Sequence, residues 1–169
     1  GQFDYFRGEA ITFSIGELTF PSVAASNVVT PLSVFSTDTV FHPAVINSLR
    51  LLQSLDVDGD TSNGITISDA AAQAAVMELA QGQTPAEFFA SDDFDEKVNQ
   101  WLANAGGANT SLVSADTAIM HFVDFIFEQY NSTQPLAFTP ADFTGTIYNP
   151  VVKGAKASIE MWQFTPSEE

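Results

Sequence analysis

The sequence predicts an α+β fold, a predominantly helical middle of about four helices flanked by short β-strands at both ends. Three observations carry this reading. Residues 10–15 (Ala-Ile-Thr-Phe-Ser-Ile) alternate larger apolar with small polar side chains, the period of a half-buried strand. Val45, Ile46, Leu49, Leu52 and Leu55 then recur at helical spacing, a period that returns in the second half of the middle. After Pro135 the period of two reappears, in residues 143–148 and 157–164. Residues 1–40 therefore read as a β-hairpin region, 41–131 as a helical core and 140–165 as strands. Together they form a single domain, 1–169, and the absence of an initiator Met marks it as a fragment of something longer.

In chain order, residues 3–6 and 10–15 form a hairpin around a glycine turn at Arg7-Gly8-Glu9, and Leu18-Thr19-Phe20 adds a short strand. Residues 28–32 are expected to be extended, because the residue before Pro31 is pushed out of the helical region. Pro43 opens the first helix at a first-turn position, with His42 as its start residue. That helix runs directly into Asp56. Ser68 caps the next, alanine-rich helix from Asp69 to about Leu79, and the alanines predict close packing on a neighbour.

Thr84-Pro85-Ala86-Glu87 has the form of a capping box and carries Phe88 and Phe89 behind it. Ser91 caps an acidic first turn (Asp92, Asp93, Asp95, Glu96) whose charges suit a helix N-terminus. The apolar face of that helix is Phe94, Val98, Trp101 and Leu102, and Gly106-Gly107 ends it. Ser114 begins the longest helix, to about Tyr130, with Ala118, Ile119, Phe122, Val123 and Ile126 on one face. Phe125 and Phe127 broaden that face, which makes this helix the expected centre of the fold.

Composition narrows the function. Hydrophobic residues make up 45% of the chain and include fifteen Phe, enough for a real core. Against 21 acidic residues stand five basic ones, a formal charge of −16. Such a surface repels phosphate backbones and anionic membranes and favours cations, so nucleic acid is excluded as an expected partner. With no cysteine there is neither a disulfide nor a thiolate metal site. No apolar run approaches the roughly 20 residues of a membrane span, and no secretory signal is present.

The most specific stretch is 56–69, Asp-Val-Asp-Gly-Asp-Thr-Ser-Asn-Gly-Ile-Thr-Ile-Ser-Asp. Three aspartates on alternate positions, then Asn-Gly, a β-branched run and a further Asp, form a cage of oxygens for a hard cation. Calcium takes about 6–8 such ligands without demanding octahedral geometry. Magnesium fits less well for that reason, and zinc wants Cys or His. The competing reading is a solvated turn in which Asp and Asn only bend the backbone. The loop resembles the calcium loops of dockerin repeats and EF-hands: Asp56, Asp58 and Asp60 match their first three ligand positions. Thr61-Ser62-Asn63 then intervenes before Gly64. With those residues bulged outward, the resemblance assigns the backbone carbonyl ligand to Ile65 and the closing carboxylate to Asp69.

A wider resemblance covers about the first 70 residues: Gly1-Gln2-Phe3-Asp4-Tyr5, Ile11-Thr12-Phe13-Ser14-Ile15-Gly16, Val29-Thr30-Pro31-Leu32, and Leu51 through Asp60 into Asn63-Gly64-Ile65-Thr66-Ile67. These segments are similar to uncharacterised secreted lipoproteins of Gram-negative bacteria. The resemblance implies a β-module begun upstream of Gly1, while the ending Trp162-Gln163-Phe164-Thr165 looks like the first strands of a further β-domain. A calcium loop of millimolar affinity stays filled only outside the cytosol, which points to the periplasm or the cell surface, with a lipid anchor upstream.

Other constellations are weaker. His121, Asp124 and Glu128 share a helix face and read as a polar stripe rather than an acid–base pair. A Gly-x-Ser-x-Gly elbow is absent, so triad hydrolysis is not expected. Asp92, Asp93, Asp95 and Glu96 suit a helix start better than a second cation site. Asn131-Ser132-Thr133 fits a glycosylation sequon that means little in a bacterial protein. The expected function is a calcium-binding, non-enzymatic structural or interaction module, with Asp56, Asp58, Asp60, Asn63, Ile65 and Asp69 as ligands and a protein partner the sequence does not identify. The alternative is a carrier or sensor for a small apolar ligand held by Phe122, Phe125, Ile126 and Phe127 with Phe88 and Phe89.

Overall fold

The structure, a computed structural model, describes residues 4–6, 8–74, 82–133, 147–153 and 156–162. The chain forms two compact units, Gly1–Phe127 and Glu128–Glu169. The fold is α+β, with six α-helices among the described residues and short antiparallel strands.

The first unit opens with one hairpin. Strand β1 (Ala10–Ile11) pairs with β4 (Val23–Ala24), and β2 (Ser14–Ile15) pairs with β3 (Leu18–Thr19) inside it. The turn is Gly16-Glu17, a two-residue loop with Gly16 at φ +56°, the conformation such loops need. This corrects the expected turn at Gly8. Residues 6–9 do turn, Glu9 N–H donating to the Phe6 carbonyl at 3.1 Å, but no strand precedes them among the described residues. Between the Phe13–Phe20 and Ile11–Val23 pairs, Pro21 and Ser22 together face Thr12. That is a bulge, where a Pro without an N–H is tolerated. The Thr12 and Ser22 hydroxyls close it with a 2.6 Å hydrogen bond.

A second correction follows at once. Thr30 is extended, as the rule for residues before proline requires, but Pro31–Val34 is one helical turn, α1, rather than a continued strand. The Ser33 hydroxyl accepts the Thr30 N–H at 3.0 Å and donates to the Thr30 carbonyl at 2.8 Å, which bends the chain into the turn.

Helix α2 (Pro43–Ser54) has Pro43 at its first turn, and the His42 imidazole accepts the Ala44 N–H at 3.2 Å. Helix α3 (Asp69–Ala74) starts as expected, with the Ser68 hydroxyl accepting the Ala71 N–H at 3.1 Å. Its expected continuation to Leu79 lies outside the described residues. The close alanine packing is present: Ala71 is buried, and its carbonyl accepts the Trp101 indole N–H at 3.2 Å. Helix α4 (Pro85–Phe89) has the full capping box between Thr84 and Glu87.

Helix α5 (Phe94–Ala105) buries the expected Phe94, Val98, Trp101 and Leu102 and ends at Gly106. Its N-cap is Asp93, not Ser91, whose hydroxyl turns back to donate to the Phe88 carbonyl at 2.7 Å. Helix α6 (Ala115–Thr133) is capped by Ser114, which accepts the Thr117 N–H at 3.1 Å.

The core is organised around α2 rather than α6. Asn47 donates to the Phe89 carbonyl at 2.8 Å, and buried Gln53 donates to the Ala118 carbonyl at 3.0 Å. Ser54 accepts the Val113 N–H at 2.9 Å, so the helix's polar side chains fasten three neighbouring segments. On α6, Ala118 and Phe122 join Val45 and Leu49 in a small cluster, while Phe125 and Phe127 are exposed. The main cluster instead gathers Phe20, Phe88, Phe89 and Phe94.

Arg50 is the polar rivet of this unit. It grips Asp95 with two bonds of 2.7 and 2.9 Å, and its Nε–H donates to the Val113 carbonyl at 2.9 Å. The guanidinium holds the Asp95 carboxyl below its ordinary value. Arg50→Met is expected to cost about 1–2 kcal/mol at pH 7, less than the full worth of charge-assisted bonds because Asp95 is half exposed and solvent screens the pair. A depressed carboxylate pKa stabilises above the unfolded value near ~3.9, and that share is lost as pH falls through the folded value. Urea melts of both proteins should therefore differ less near pH 2.5 than at pH 7. A gap independent of pH means that the bonds from Arg50 to the Val113 carbonyl (2.9 Å) and to the Asn47 side-chain oxygen (3.2 Å) carry the whole effect.

In the second unit, β5 (Ile147–Lys153) and β6 (Lys156–Trp162) form an antiparallel hairpin in the register Ile147↔Trp162 through Lys153↔Lys156. The sequence places the first strand at 143–148, of which 143–146 lie outside the described residues. Pro150 is within β5, opposite Ile159.

Candidate functional site

The aspartate loop leaves α2 at Leu55 and re-enters helix at α3, the helix–loop–helix context expected of it. Its two ends are zipped together. Asp56 bridges Ile67 in antiparallel fashion, and the Val57 N–H donates to the Thr66 carbonyl at 2.9 Å. Between them the chain makes successive Asx turns. Asp58 Oδ1 accepts the Asp60 N–H at 2.9 Å, and Asp60 Oδ1 accepts the Ser62 N–H at 3.1 Å. The interposed Thr61–Asn63 is a 3₁₀ turn, in which Ser62 and Asn63 are exposed and Thr61 is half-buried. Asn63 reaches back to donate to Asp58 Oδ2 at 3.0 Å.

Neighbouring segments brace this loop. Gly59 sits at φ +72°, and a Cβ there would meet Ala108 Cβ at 3.2 Å, so only glycine lets the loop lie against residues 108–109. Gly107 lies in ordinary contact with the start of the loop: a Cβ on it would be 3.6 Å from the Asp56 carbonyl. From α6 the His121 Nε2–H donates to the Thr61 carbonyl at 3.0 Å. His121 therefore acts as a tie to the loop, while Asp124 stands exposed. The Glu128 side chain lies outside the described residues.

The six sequence-derived ligands fall into two groups. Asp56, Asp58, Asp60 and Asn63 are drawn into one loop by the bonds above. Ile65 is exposed on the return segment, and Asp69 is exposed at the first residue of α3. Among the described residues no three His, Cys, Asp or Glu side chains stand close enough together to hold a metal ion. The Asp58 carboxyl is held below its ordinary value, first by the Asn63 amide and then by the Asp60 N–H, with a smaller contribution from the Asp56 side chain.

One feature was not legible in the sequence. Asp56 is 1% exposed, and while its Oδ1 accepts the Thr66 N–H at 2.8 Å, its Oδ2 is buried with no hydrogen-bond partner among the described residues. Buried polar atoms are nearly always satisfied, and one left open costs about 1–3 kcal/mol. The alternating spacing marks Asp56, Asp58 and Asp60 alike as ligand candidates, but it does not separate the buried Asp56 from the exposed Asp58 and Asp60.

The acidic first turn of α5 is engaged locally. Lys97 pairs with Asp93 at 2.8 Å and, with Ser91, holds its carboxyl below the ordinary value, and Arg50 takes Asp95. The expected phenylalanine pocket does not assemble. Phe88 and Phe89 are fully buried in the main core, Phe122 lies in the other cluster, and Phe125 and Phe127 face solvent.

No family model matches the sequence, and neither a curated protein nor a solved structure matches the chain. Among the described residues no helix is long and apolar enough to cross a membrane.

Proposed function

We propose that this chain is a calcium-binding, non-enzymatic structural or interaction module of a secreted or surface-anchored bacterial protein. The observation that carries the reading is Asp56 Oδ2, a buried carboxylate oxygen with no hydrogen-bond partner among the described residues. A hard cation would satisfy it, and every other candidate donor in the loop is also oxygen, the donor set calcium prefers. Asp56, Asp58 and Asp60, which do not stand close enough together to hold an ion as they are, would close around it, with Asn63, the Ile65 carbonyl and Asp69 completing the shell. The Asx-turn bonds do not block this, because each carboxylate oxygen carries two lone pairs. The ion would neutralise clustered charge in a chain of net charge −16 and fasten the end of α2 to the start of α3. The resemblance of the first 70 residues to secreted lipoproteins agrees with a calcium-rich, extracytosolic setting.

The test is thermal melting after EDTA treatment, with calcium titrated back and magnesium as the control. At a calcium concentration of about 100 times the dissociation constant the gain is roughly 2.7 kcal/mol, or on the order of 10 °C in Tm for a chain of this size. Magnesium should give a small fraction of that. No shift with either ion returns the loop to a solvated turn.

A further inference from the structure

A cavity of about 320 Å³ opens between the hairpin, α1 and α2. The cavity is open to solvent on one side, and its volume is at the lower end of the roughly 300–1,000 Å³ of small-molecule sites. Phe13 and Phe20 from the hairpin, Val34 from α1, Phe35 just after it and Leu52 from α2 wall it, and among the described residues no Asp, Glu, Lys, Arg or His lines it. It shares no residue with the phenylalanine stripe of α6. The polar residues in its lining are Ser14, Thr30 and Ser48, of which Ser48 alone is buried. Ser48 is fully buried and donates its own proton to the Val45 carbonyl at 2.8 Å, so toward the cavity its oxygen can only accept.

We infer that this cavity is a binding site for a small, uncharged, largely apolar molecule with one hydrogen-bond donor. The lining supplies apolar contact and an acceptor. It offers no cation for an acid, in a chain whose charge of −16 repels anions. This inference does not rest on the calcium reading. Ile67, which closes the aspartate loop, also lines the cavity, so the binding test is run in EDTA and its outcome is separate from that of the metal test.

The probe is N-phenyl-1-naphthylamine, neutral with a single N–H, compared with 8-anilino-1-naphthalenesulfonate, the same framework carrying a sulfonate. Fluorescence titration of the full chain should show one saturable site for the neutral probe, with the anion at least tenfold weaker. Val29→Phe and Ser14→Phe, both at lining positions, should weaken the neutral probe at least tenfold. Val28→Phe, at an exposed neighbour, should leave it unchanged. Isotope-filtered NOEs from the bound probe to the Leu52 and Ile67 methyls locate it in the parent protein, whether or not the variants fold. Absence of saturable binding, equal affinity for the two probes, or NOEs only to methyls outside the cavity would overturn the proposal.

Discussion

Phe89→Ala is expected to lower the unfolding free energy by about 3–5 kcal/mol, the range for emptying a fully buried aromatic position. No other single truncation described here should cost as much. Phe89 is 0% exposed and stacks on Phe20 at a centroid distance of 4.8 Å. Phe35, Phe88 and Phe94 surround the same ring at 5.4, 5.5 and 5.7 Å. The ring thus joins the hairpin, α1, α4 and α5, and its neighbours are themselves too large to collapse into the space it leaves. Against a typical total of about 5–15 kcal/mol, a loss of that size removes a large part of the stability. In Tm it amounts to roughly 10–20 °C. The internal control is Phe127→Ala, 52% exposed, which should stay within about 0.5 kcal/mol of the parent. Denaturant melts of the two variants decide the matter. If Phe127→Ala were the costlier change, α6 and not α2 with its aromatic neighbours would be the organising element.

The contrast between those two phenylalanines also shows where sequence reading stops. Helical spacing places Phe88, Phe89, Phe94, Phe122, Phe125 and Phe127 with equal authority on apolar faces. Which of the fifteen are interior depends on what the other elements bring to them, and periodicity carries no such information. Elements set by local chemistry were legible: Pro43 with His42, Ser68, the Thr84–Glu87 box and Gly106 all fall where the sequence puts them. Thr30-Pro31-Leu32-Ser33 has almost the form of Thr84-Pro85-Ala86-Glu87. The rule for the residue before proline extends Thr30 but does not stop a helical turn from starting at Pro31, and the Ser33 hydroxyl reaches the Thr30 N–H just as the Glu87 carboxylate reaches Thr84. The hairpin turn was misplaced for a different reason. Gly8 and Gly16 are equivalent local signals, and the choice falls to Gly16 because Ile15 and Leu18 beside it are both buried, a fact of tertiary packing. Strand β5 continues to Lys153, past the alternation that ends at Tyr148, because its pairing with β6 carries it on through Pro150 opposite Ile159.

For the loop, the aspartate spacing is a sequence fact, but the asymmetry among the aspartates is a structural one, and it sets the sharpest test. Asp56→Asn keeps an oxygen to accept the Thr66 N–H and puts an amide where the unpartnered Oδ2 stands. In EDTA this variant is expected to melt at or above the parent temperature, because it removes a buried carboxylate oxygen without a partner and gives Asp58 a neutral neighbour able to donate. In saturating calcium the order should reverse. The parent gains roughly 2.7 kcal/mol at about 100 times the dissociation constant, while the variant, lacking the buried charge, gains little. Asp56→Ala also removes the acceptor for the Thr66 N–H, so it should fall below the parent in both conditions, by about 1–3 kcal/mol in EDTA. The crossing of parent and Asn variant is the decisive signature. A turn that only bends the backbone predicts one fixed difference at every calcium concentration, whereas a site that uses Asp56 as a ligand predicts a change of sign.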